Sequence, residues 1–155
     1  MHLDQCANGT HSPLPGRGRK LLWVDDSRPL LGLYKLVFEG LGFQVRATSS
    51  PGEALDHLCS DDTDAAIVDY EMPEMNGDAL ASLIKGRRPN LPVILYSGSD
   101  RIPPNAMRWV DAICSKAESR QQLLITIEAL SPRHRLRTVS TEHPMRTRPL
   151  PRKPQ

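Results

Sequence analysis

The 155-residue chain is poor in the features that would place it outside a cytosol or mark a disulfide framework or a zinc site. No apolar run approaches the ~18–20 residues that a bilayer-spanning helix needs. The start, Met1 to Gly18, is polar and carries Pro and Gly, with no apolar core of a secretory signal. Cysteine is scarce: Cys6, Cys59 and Cys114 are odd in number, widely spaced and form no CxxC pair. They read as reduced, incidental thiols, neither a disulfide framework nor a zinc site. The expectation is a cytoplasmic protein with no membrane partner, and its length suits one domain with a sizeable core.

The net charge of +2 hides an asymmetry. Residues 20–130 hold 11 Lys/Arg against 16 Asp/Glu, whereas residues 131–155 hold 7 against 1. An acidic body therefore carries a basic tail. The tail has five prolines and few large apolar residues, so it cannot bury enough surface to offset the entropy of ordering. Residues 1–19 lack hydrophobic periodicity. The expected organisation is a disordered lead-in at 1–19, a folded domain at 20–130 and a disordered tail at 131–155.

Within the body, strand and helix signals alternate. Apolar runs at Lys20–Val24, Phe43–Ala47, Ala65–Val68, Val93–Tyr96 and Asp111–Ser115 read as strands. Ser27 is placed to cap a first helix from about Arg28, with Pro29 tolerated in its first turn. Leu30, Leu33, Tyr34 and Val37 form its buried stripe, and Gly40 is its stop. A second helix runs from Ser49 or Ser50 to about Cys59, a third from Gly77 to Gly86, and a last from Glu118 to Leu130. Pro103-Pro104 leaves room for at most a short helix at 105–110. Such alternation implies an α/β fold, a doubly wound parallel sheet of five strands, with ligands bound beyond the strands' carboxyl ends.

The chemistry sits at those ends. Asp25-Asp26 follows the first strand, Asp69 the third, Ser97 the fourth and Lys116 the fifth. Each alone has an ordinary role as a turn acid, cap or solvated lysine. Together, three carboxylates make a hard oxygen cluster whose repulsion a divalent cation relieves. Mg²⁺ (or Mn²⁺) suits that donor set, and no His or Cys stands nearby to suggest zinc. A carboxylate can also attack phosphorus, given cations on both sides of the transferring group.

These residues resemble the response-regulator receiver domain of bacterial two-component systems, of the CheY-like superfamily. The resemblance covers about residues 20–130 and rests on Asp25-Asp26, on Asp69 within DYEMPEMNG, on Ser97 after VILY and on Lys116. It implies the flavodoxin-like strand order 2-1-3-4-5. It further implies that Asp69 takes a phosphoryl group from a sensor histidine kinase or phosphotransfer protein. Asp26 would then ligate Mg²⁺ directly, Asp25 through water and Glu71 by its backbone carbonyl. Ser97 and Lys116 would contact the phosphoryl group, and Gly77 would supply a permissive backbone in the loop.

Three positions depart from the family pattern. Ile113 stands where an aromatic switch residue is usual, Ala117 stands where proline is usual, and Pro103-Pro104 shortens or removes the fourth helix. Trp109 or Tyr96 could replace the aromatic, with packing the plainer role for both. The expected function is a stand-alone phosphoacceptor, not an enzyme beyond self-phosphorylation and self-dephosphorylation, that signals by binding an unidentified downstream protein. The alternatives are a receiver whose basic tail binds nucleic acid, and a phosphate sink without conformational output. Nucleic acid is not the expected partner, because the tail lacks interleaved aromatics and a folded reading motif. A phosphatase with an aspartyl nucleophile is a weaker fit: it wants an Asp two residues on, where Glu71 stands, and leaves Asp25-Asp26 without a role.

Overall fold

The structure, a computed structural model, describes residues 14–60 and 62–131. Five parallel strands, β1 (Lys20–Val24), β2 (Gln44–Thr48), β3 (Ala65–Val68), β4 (Val93–Ser97) and β5 (Ala112–Ser115), form one sheet in the order β2-β1-β3-β4-β5. Helices α1 (Arg28–Gly40), α2 (Pro51–Ser60), α3 (Gly77–Arg87) and α4 (Arg120–Leu130) cover both faces. This is the architecture that the alternation of signals predicts. The β4–β5 connection holds only a 3-10 segment, Pro104–Trp109. Pro103 and Pro104 are suited to its first turn, where a missing N–H costs nothing, and they leave the expected fourth helix cut short.

β3 and β4 are buried along their whole length, which explains why they read as continuous apolar runs without alternation. One core layer, under α1 and α4, contains Trp23, Tyr34, Phe38, Ile67, Tyr96, Leu123 and Ile127. The other, under α2, α3 and the 3-10 segment, contains Leu22, Val24, Leu58, Val68, Leu80, Ile84 and Leu95.

The buried stripe of α1 is Leu31, Tyr34 and Phe38, one position off the expected phase; Leu33 is half-exposed. Ser27 stands at the N-cap without a side-chain cap bond. Its own N–H instead donates to Asp25 Oδ1 at 2.9 Å, so the acid organises the turn. α1 ends at Gly40 as expected, and the left-handed residue of the turn that follows is Gly42, at φ +92°.

Residues 14–19 are not a structureless lead-in. Residues 15–18 form turns that dock on the α1–β2 connection, with the Gly16 N–H donating to Leu41 O at 2.9 Å. A Cβ at Gly16 would lie 2.2 Å from the Phe43 ring, so only glycine fits there. Periodicity cannot reveal a segment held by backbone bonds and one glycine contact. Residues 1–13 and 132–155, with most of the lead-in and the basic tail, lie outside the described residues.

Candidate functional site

Strand pairing sets the site's backbone. Val24 pairs with Thr48 on one side and Val68 on the other, so the residues that follow β1 and β3 emerge side by side. The Asp69 N–H donates to Val24 O at 2.8 Å, and the Asp25 N–H donates to Thr48 O at 3.3 Å. Across the sheet, Ser97 pairs with Ser115, and the Lys116 N–H donates to Ser97 O at 2.7 Å. Backbone bonds thus aim all four strand ends before any side chain is considered.

The side chains converge. Carboxylate oxygens of Asp25, Asp26 and Asp69 lie within 4.8 Å of one another. Lys116 Nζ reaches Asp25 Oδ2 at 2.7 Å and Asp69 Oδ1 at 3.1 Å. Asp25 and Asp69 are buried and Asp26 is exposed. With all groups ionised, three carboxylates face one ammonium, which leaves two negative charges to be balanced. All-oxygen donors with that surplus fit a divalent cation such as Mg²⁺.

Burial pushes the Asp69 pKa above its ordinary 3.8; Lys116 opposes that shift, and the Asp25 and Asp26 charges add to it. Burial works against the charged form of Lys116, but the hydrogen bond and charge of Asp25, then those of Asp69, outweigh it and raise the pKa above 10.5. The pair therefore holds a strained anion against a strongly held cation.

Gly77 holds Asp69 from the α3 side by close approach, not by an unusual backbone angle. A Cβ there would lie 2.3 Å from Asp69 O, and the Gly77 N–H donates to Tyr70 O at 2.8 Å. Ser97 is buried at the end of β4, with its hydroxyl accepting from the Ser99 N–H at 3.0 Å. The Glu71 side chain is exposed in the loop after Asp69.

The departing residues lie elsewhere. Ile113 is partly buried and packs on the core layer under α3. Trp109 ends the 3-10 segment at the amino end of β5, beneath the Arg108 guanidinium at 5.3 Å. Tyr96 differs: Lys116 Nζ stands 5.9 Å from its ring centroid. The ring placement of Tyr96, and of Tyr34 beside it, has no signature in spacing, because the two come from different elements.

The family model for the response regulator receiver domain matches residues 21–127. The chain is 29% identical over 123 residues to the transcriptional regulatory protein GltR of Pseudomonas aeruginosa, across 76% of this chain and 50% of that protein. It is 35% identical over 74 residues to the response regulator SaeR of Staphylococcus aureus, across 48% of this chain and 32% of that one. The chain thus spans half or less of the length of these curated relatives. Among solved structures, a receiver domain from Clostridium thermocellum superposes with TM-score 0.68 at 26% identity, covering 76% of this chain and 98% of that one. The response regulator TrrA of Thermotoga maritima, solved with Mg²⁺–BeF, gives TM-score 0.68 at 23% identity, covering 72% and 98%.

Proposed function

The chain belongs to the response regulator receiver domain family, and we propose that Asp69 is its phosphoacceptor, loaded from the phosphohistidine of a sensor histidine kinase or phosphotransfer protein. The observation that carries this is the convergence of Asp25, Asp26 and Lys116 on Asp69 at the strands' carboxyl ends. In the transfer, an Asp69 carboxylate oxygen bonds to phosphorus as the phosphorus–nitrogen bond breaks, and the electron pair returns to the imidazole.

Asp69 is buried at the bottom of the cluster, so little water competes with the incoming donor. Lys116 is already within ion-pair reach of Asp69 and can follow the negative charge onto the phosphoryl oxygens. Ser97 can donate its O–H to a phosphoryl oxygen while its oxygen goes on accepting from the Ser99 N–H. Asp26, Asp25, Asp69 and the Glu71 carbonyl would hold Mg²⁺ (or Mn²⁺), which when bound supplies charge neutralisation for the transferring group. On this reading the protein is a phosphoacceptor with at most self-phosphorylation and self-dephosphorylation, and its output is binding to another protein in the bacterial cytoplasm. No helix among the described residues is long and apolar enough to cross a membrane.

The test is incubation with Mg²⁺ and a small phosphodonor such as acetyl phosphate, read by intact mass and by peptide mapping. The expected result is one acid-stable, base-labile phosphate on Asp69, absent without Mg²⁺ and absent in Asp69→Asn. An unmodified wild-type protein, or equal labelling of Asp69→Asn, would overturn the assignment.

A further inference from the structure

Beneath the acidic cluster, on the α1 side of the sheet, three buried rings touch pairwise. Trp23 of β1 stacks on Tyr34 of α1, with centroids 4.6 Å apart and planes 16° apart. Tyr96 of β4 meets Trp23 edge-on at 6.0 Å and Tyr34 at 5.6 Å. Tyr34 is 8% exposed, Tyr96 3% and Trp23 1%, so a shift of one ring presses on its neighbours. Lys116 stands over Tyr96, so the ammonium that pairs with Asp25 and Asp69 also rests on the edge of this cluster. Burial, then Tyr96, push the Tyr34 phenol up to about 12, with smaller opposed effects of Lys116, which lowers it, and Asp25, which raises it.

The other route out of the site is weak by comparison. On the opposite face Ile113 offers neither ring nor hydroxyl, and the adjoining connection is a 3-10 segment of six residues.

We infer that Tyr96 is a positioning residue for Lys116 and that, with Tyr34, it couples the charge state of Asp69 to helix α1. The inference rests on Asp69 being the phosphoacceptor. When a phosphoryl group occupies Asp69, Lys116 exchanges a carboxylate oxygen for a phosphoryl oxygen and changes its place over the Tyr96 ring. Tyr96 abuts Tyr34 directly, so the displacement passes into α1. The cation–aromatic contact, long at 5.9 Å while Lys116 pairs with the two carboxylates, is closer with the phosphoryl group bound, so the Tyr96 ring favours that arrangement.

The test uses beryllofluoride with Mg²⁺ as the phosphoryl mimic and two readouts. Trp109→Phe leaves Trp23 as the only tryptophan, stacked on Tyr34, so its emission reports the cluster. Backbone amide NMR reports which helix responds. In the Trp109→Phe background, the mimic should change Trp23 emission and shift amides along 28–40. Tyr96→Leu should weaken the mimic's binding about threefold to tenfold, the loss of one desolvated cation–π contact, and Tyr96→Phe should restore it. Tyr34→Phe should leave binding within about twofold while reducing the α1 shifts. If the wild-type protein fails to bind the mimic, the phosphoacceptor assignment itself falls. If the mimic binds but shifts amides of 102–115 and not of 28–40, or if Tyr96→Leu binds it as the wild type does, the assignment stands and the coupling falls.

Discussion

Under α1 and α4 the sheet buries five aromatic rings, Trp23, Tyr34, Phe38, Phe43 and Tyr96. Under α2, α3 and the 3-10 segment the fully buried side chains are aliphatic apart from Met72, and Tyr70 and Met75 are only partly buried. The two faces serve the same strands and the same strand-end site, yet differ in what they can transmit. Aliphatic packing responds to volume. Rings with phenols also respond to charge, and Lys116 places a charge against one of them. On the proposed coupling the aromatic face is the one that senses, and Ile113 on the other face offers no ring.

The largest expected effect comes from the residue where the site meets the aromatic face. Lys116→Met removes the only cation that the described residues place against Asp25, whose carboxylate is 1% exposed. Leaving a buried charge uncompensated costs about 3–5 kcal/mol, to be read as a shift of the urea midpoint in metal-free buffer. Mg²⁺ should then raise the melting temperature of Lys116→Met more than that of the wild type, because the variant has the larger unbalanced charge. The sign with pH follows from the raised pKa of Lys116. Its stabilisation is fully present below about 10.5 and is lost as pH rises through the folded-state value. An equal stability of variant and wild type would mean that Asp25 is not held by charge, and the link between site and aromatic face would lose its anchor.

Asp69→Asn is the next smaller effect and runs in the opposite direction. The folded-state pKa of Asp69 is raised, so the fold binds its proton more tightly than the unfolded chain does. That contribution is present below about 3.8 and is lost as pH rises through the folded-state value, so at neutral pH the fold carries the whole cost of an ionised, buried Asp69. Replacement by the neutral isostere should raise stability by about 1 kcal/mol at neutral pH without metal, in the range of other relieved functional strains. The gain should shrink with Mg²⁺ and vanish in acid. Chemical denaturation at pH 3.5 and 7 checks it; a destabilised variant at pH 7 would show that Lys116 more than compensates the acids.

The same contrast governs what could be read before the fold was known. Asp25, Asp26, Asp69, Ser97 and Lys116 were legible because each ends a short apolar run, and in a parallel sheet run ends share one edge. The order of strands followed from the resemblance, and the cut-short connection from Pro103-Pro104. The phase of α1 was not legible. Leu30, Leu31, Leu33, Leu36 and Val37 surround the helix with apolar side chains, so two stripes fit equally well, and only Tyr34 belongs to both. Ser27 takes the N-cap position that its type suggests, but nothing local shows that its N–H goes to the acid two residues earlier and that its hydroxyl makes no cap bond. The ring cluster could not be seen at all, because residues 23, 34 and 96 are brought together by the pairing of β1, β3 and β4 and by the seat of α1, none of which has a local signal.

The smallest expected effect tests the comparison most directly. Ile113→Tyr places an aromatic on the aliphatic face, at a partly buried position. A larger side chain at such a position should cost about 1 kcal/mol or less, since Ile113 is only partly buried. If sensing lies with Tyr96 and Tyr34, the new ring has no charge to follow: Lys116 already rests on Tyr96, and Ile113 and Cys114 project to opposite sides of β5. Beryllofluoride affinity should stay within about twofold of the wild type, and the amide shifts along 28–40 should persist unchanged. A variant in which those shifts fade while shifts of 102–115 grow would show that the aliphatic face keeps a latent path to the site, needing only the ring. The two faces would then differ in one side chain and not in design.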